Sequence, residues 1–155
     1  MNELKEIALQ KIGRNVVNFQ KIEGMLKFII SRNNFSAPVS KIAELMEKRK
    51  KEISRKSFGT LTSQYFKQFY SNNDHIQEAA NDKNEGWISL KVKIESESSI
   101  LPQEKAAFSF LVSERNRLIH QMLITFNPDS KESCATLIKE LTAQAAGRGR
   151  TELTG

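Results

Sequence analysis

The stretch from Leu101 to Phe126, LPQEKAAFSFLVSERNRLIHQMLITF, constrains the fold more than any other part of the chain. Pro102 suits the first turn of a helix, where its missing N–H leaves no bond unmade. Ala106, Phe110, Leu111, Leu118, Met122 and Phe126 fall on helical spacing, which predicts a helix with one face in a core. Asn127-Pro128 stops it. Into this run the sequence sets a polar block, Ser113-Glu114-Arg115-Asn116-Arg117, and then His120. Asn116 and His120 share a face. Arg115 lies roughly 140° from His120 on a straight helix that turns about 100° per residue. Its long side chain can curl back, so that guanidinium, amide and imidazole line one groove.

The rest of the chain is mostly helical in pattern. Over residues 3–31, Ile12, Val16, Phe19, Ile22, Leu26 and Ile29 step by three or four, and Leu4, Ile7 and Ala8 extend the stripe. Gly13 and Gly24 each cost about 1 kcal/mol against Ala inside a helix, which predicts close packing there. After a break at 32–36, a second helix over about 38–56 starts at Pro38 and buries Ile42, Leu45, Met46 and Ile53. Its outer side carries Lys48, Arg49, Lys50, Lys51, Arg55 and Lys56. These can make weak phosphate contacts to RNA, or, with Glu44, Glu47 and Glu52 interleaved, form a solvated face. Thr60 caps a third helix whose stripe of Leu61, Tyr65, Phe66 and Phe69 suits a core better than base stacking. Residues 71–86 read as a polar loop holding His75. WISLKVKIE, 87–95, reads as a strand with Ile88, Leu90, Val92 and Ile94 on one face. It needs a pairing partner, either a segment near 71–80 or a twin strand in a dimer. Asp129-Ser130-Lys131-Glu132 predicts a capping box for a last helix to about Ala146, with Cys134, Leu137, Ile138 and Leu141 buried.

A chain of 155 residues suits one domain with a real core. The fold class expected is mainly α: a bundle of about four to five helices with one strand or small hairpin insertion, spanning 1–146, and a flexible tail over 147–155. Twenty-four Lys and Arg against 18 Asp and Glu give +6, which favours a polyanionic partner such as nucleic acid. A single cysteine excludes an internal disulfide, and no Cys/His cluster has zinc spacing, so neither metal nor cofactor is expected. MNELKEIALQ places charges where a secretion signal needs an apolar run, and no apolar run is long enough to span a bilayer. A cytoplasmic protein without a membrane partner is expected. Gly-rich phosphate loops, HExxH and nucleophile-elbow patterns are missing, which leaves the polar block as the candidate for chemistry.

Arg115-Asn116-Arg117-Leu118-Ile119-His120 resembles the signature of the HEPN superfamily, an all-α group with many RNA-cleaving toxins and defence nucleases. That motif is an Arg, usually followed by a polar residue, often Asn, and separated by a short spacer from a His. The resemblance covers these six positions on a late helix, together with the long N-terminal helix. It implies Arg115, Asn116 and His120 as catalytic residues, in a composite cleft at the two-fold interface of a homodimer. It also implies cleavage of an RNA substrate to 2′,3′-cyclic phosphate ends, with an antitoxin or defence-complex protein as a further partner. A non-catalytic HEPN module that binds RNA or protein is the alternative. In the toxin branch regulated by a nucleotidyltransferase, a Tyr stands two residues after the His; here that place is Met122.

The chemistry fits those residue types. Metal-free cleavage uses the RNA's own 2′-OH as nucleophile. An imidazole transfers protons near neutrality. A guanidinium presents a fixed fork of donors to phosphate oxygens, and Asn116 can orient the imidazole. One His does not readily serve both proton transfers on opposite sides of an in-line displacement, whereas a symmetric dimer supplies two. Glu114 and Arg117 flank the motif, as a salt bridge or as tuning groups, with Arg117 a weak RNA contact.

Overall fold

Helix α1 runs from Asn2 to Ser31, as its periodic stripe predicts, and buries Ala8, Asn15, Phe19, Leu26 and Ile30. The computed structural model describes residues 2–70, 77–78, 85–95, 97 and 99–153. The protein is mainly helical. Among the described residues no helix is long and apolar enough to cross a membrane. Where length alone suggested one domain, contacts gather into two compact units, Met1–Ile22 with Pro102–Gly155, and Glu23–Leu101. The close packing expected at Gly13 and Gly24 is not found: among the described residues, a Cβ added at either meets nothing within 4 Å.

In the first unit, α4 (Ile100–Arg117) leads through a π turn (Leu118–Met122) into the short α5 (Leu123–Thr125). The Leu123 N–H donates to the Leu118 carbonyl five residues back, in place of the four of an α-helix. Leu111, Leu118 and Met122 are buried. Phe110, expected in the core, is 42% exposed; its ring instead covers Gly147, where an added Cβ would stand 3.1 Å from it. Here glycine permits a close approach. Helix α6 spans Lys131–Leu153 and buries Cys134, Leu137 and Leu141 as expected. It continues through 147–153, where a flexible tail was expected. Its cap is Ser130, not Asp129: the Ser133 N–H donates to Ser130 Oγ at 3.2 Å, and the Cys134 N–H to the Ser130 carbonyl at 3.0 Å. Asp129 instead pairs with Lys5 at 3.0 Å.

In the second unit, Phe35–Pro38 forms a fully buried strand, β1, where the sequence suggested a break and a helix start. A 3-10 turn over Val39–Lys41 follows, and α2 begins at Ile42 and ends at Ser54. Helix α3, Phe58–Tyr70, starts earlier than Thr60, because Ser57 Oγ accepts the Thr60 N–H at 3.2 Å. Phe66 and Phe69 are buried, so the aromatic stripe is core. Strand β3, Trp87–Leu90, pairs antiparallel with β1, Phe35 opposite Leu90 and Pro38 opposite Trp87. The two-residue β2, Gln77–Glu78, lies parallel on the other side of β1. The strand expected to reach residue 95 therefore stops at Leu90. Beyond it, the Asn33 side chain replaces a strand: its Oδ1 accepts the Val92 N–H at 2.7 Å and its Nδ2 donates to the Val92 carbonyl at 3.1 Å. The Ile94 N–H then donates to the Phe69 carbonyl at 2.8 Å. The 3-10 turn is tied down by Glu85, which accepts from the Ser40 N–H and hydroxyl; those bonds hold its carboxyl below the usual range. His75, expected in a loop, lies outside the described residues.

Candidate functional site

His120 sits inside the π turn, which opens between it and Arg115. On this surface Ser113, Asn116, Arg117, His120 and Gln121 line an open groove of about 430 Å³. Asn116 and His120, expected to share a face, share this groove, and both are exposed. Arg117 joins them there. Arg115 does not line the groove; its Nη1 donates to Asn116 Oδ1 at 3.2 Å, so it reaches the site through the amide.

Beneath the groove lies a buried polar network. Arg117 Nη2 donates to Glu114 Oε2 at 3.0 Å, and Gln144 Nε2 donates to the same oxygen at 3.0 Å and to the Glu114 carbonyl at 3.0 Å. Asn15 Nδ2 donates to Gln144 Oε1 at 3.0 Å and to the Leu141 carbonyl at 3.2 Å. Asn15 and Gln144 are each 2% exposed. The hydrogen bond to Glu114 raises the Arg117 pKa above its ordinary value, burial opposes it, and the charges of Glu114 and Glu140 add to it. The guanidinium therefore stays charged. The salt bridge foreseen as one role for Glu114 and Arg117 is present. Asn15 and Gln144 were missed by the sequence reading. Their signal was visible: each is an amide set at a core step, Asn15 between Ile12 and Phe19, Gln144 after Leu137 and Leu141.

The basic stripe expected on α2 is only partly at the surface. Lys48, Lys50, Lys51 and Arg55 are exposed. Arg49 is not: it is 4% exposed, and its Nη2 donates to the Ile30 carbonyl at 3.2 Å, capping the last turn of α1. Burial lowers its pKa, and Glu52 partly opposes that. A side chain so placed reaches no RNA. Lys56 is half-buried, with Nζ on Gln64 Oε1 at 2.6 Å. Among the described residues no three His, Cys, Asp or Glu side chains gather to hold a metal ion.

Comparison with models of known protein families, with curated proteins and with solved structures finds no match for this chain.

Proposed function

We propose that the chain is a metal-independent endoribonuclease of the HEPN kind, acting as a toxin or in antiviral defence. The reading rests on one observation: an exposed imidazole, an exposed amide and a charged guanidinium line a single open groove at a π turn. Such turns recur at functional sites. In the reaction, the 2′-oxygen of the RNA forms a bond to the adjacent phosphorus as the bond to the 5′-oxygen breaks. His120 accepts the 2′ proton, Asn116 orients it, and Arg117, with Arg115 behind Asn116, neutralises charge on the phosphate oxygens. The proton for the leaving oxygen comes from His120 of a second copy, in a homodimer.

A second reading, a non-catalytic helical module that binds RNA or a protein partner, draws on a different fact. Both guanidiniums already have intrachain partners, Arg115 on Asn116 and Arg117 on Glu114. Incubation of RNA with the protein in EDTA separates the two. The nuclease yields 2′,3′-cyclic phosphate ends, and His120→Ala slows cleavage by about 100-fold or more while the helical circular-dichroism signal is unchanged. Equal cleavage by both proteins removes His120 as catalyst. RNA binding without cleavage favours the module.

A further inference from the structure

Ser113, Asn116, Arg117, His120 and Gln121 line the groove at the π turn, and the chemistry proposed above uses only Asn116, Arg117 and His120. Ser113 and Gln121 are left without a role. Both are exposed, and neither side chain has a hydrogen-bond partner among the described residues. At Gln121 the backbone is held and the side chain is not: its carbonyl accepts from Thr125 Oγ1 at 3.0 Å, in the short helix after the π turn.

Gln121 is also the lining residue with an unengaged donor and acceptor side by side. The Asn116 Oδ1 already accepts from Arg115 at 3.2 Å. Arg117 offers donors alone, and its Nη2 is on Glu114. Ser113 has one hydroxyl, and His120 is occupied with proton transfer. A nucleobase edge is read by a paired donor and acceptor, because it carries the same pair in reverse. In RNA such reading requires an unpaired strand, whose Watson–Crick and Hoogsteen edges are both open. Adenine meets an amide on either edge: its N6 amino group donates to the amide oxygen, and N7 or N1 accepts from the amide nitrogen. The Hoogsteen edge of guanine shows two acceptors, which suit a guanidinium fork, and the guanidinium in this groove is engaged by Glu114.

Position decides which base is read. A base hangs on C1′, the carbon next to the C2′ whose hydroxyl gives its proton to His120, and Gln121 follows His120 in the chain. We propose that Gln121 reads adenine on the 5′ side of the cut, so that the substrate is single-stranded RNA with an unpaired adenosine. This rests on the groove being an RNA site and adds the base that it selects.

The test is fluorescence anisotropy of the full chain with uncleavable 2′-fluoro RNA octamers, UUUNUUUU, in which N is A, C, G or U. The octamer with A is expected to bind about tenfold more tightly than the other three. Gln121→Ala should bring the four within about twofold of one another, with the helical circular-dichroism signal unchanged. Natural RNA should be cut after unpaired adenosines. A preference for A that depends on Gln121, in a protein that cuts no RNA, would sink the nuclease reading and support base selection. Cleavage accompanied by equal binding of the four octamers would do the reverse. A preference for A that survives Gln121→Ala also overturns the proposal, as does failure to bind any octamer at millimolar concentration.

Discussion

Two amides, Asn15 and Gln144, show how single residues fix the candidate site. Gln144 uses both ends of its side chain, accepting from Asn15 and donating to the carboxylate and backbone of Glu114. Glu114 in turn holds Arg117 at the groove. Asn15, Gln144 and Glu114 are each bonded to the next, so removing one leaves a buried neighbour without its partner. Gln144→Ala is expected to lower stability by about 1–3 kcal/mol in denaturant unfolding. An unchanged midpoint would mean that the network contributes nothing. Arg49 teaches the opposite lesson about charge. A basic residue in a run of basic residues was read as surface, yet it turns inward because the carbonyls ending α1 need donors.

At the scale of elements, termini and one irregular turn carry the new information. The cap of α6 lies one residue later than the acidic cluster suggests, and the two possibilities predict different rankings. Ser130→Ala removes the bond from the Ser133 N–H and is expected to cost about 1 kcal/mol. Asp129→Ala breaks only an exposed pair with Lys5 and is expected to cost well under about 1 kcal/mol. Thermal midpoints in the reverse order would return the cap to Asp129. The π turn at Leu118–Met122 interrupts the α-helix around His120, and a fixed period cannot anticipate such an interruption.

At the scale of the molecule, the proposed chemistry requires association. A single groove offers one imidazole for two proton transfers, so the nuclease is expected to be a symmetric dimer. Light scattering at micromolar concentration should give twice the chain mass; a monomer with full activity would end the composite-site argument. The alternation over 87–95 predicts one strand with a shared apolar face, but the strand ends at Leu90. Ile88, Leu90, Val92 and Ile94 are nevertheless 38–47% exposed. Alternation says which side chains travel together, and packing decides whether that face meets core or water.

What the sequence settled by itself is whatever repeats locally: the long first helix, the helix that carries the polar block, the aromatic core stripe of α3 and the buried face of α6. Each is written in three- and four-residue steps, and the same hydrogen bonds that make a helix tie those steps together. Asn116 and His120 were legible for that reason. Contacts distant in sequence were not. Phe35–Pro38 is four residues long and becomes a strand only because β3 and β2 lie on either side of it. The strand 87–95 was cut short by an asparagine side chain from beyond the end of α1. The bonds that set Arg117 at the groove run from Asn15 through Gln144 to Glu114, joining three helices. Pairings of that kind come into being when the chain folds back on itself, and no local spacing encodes them.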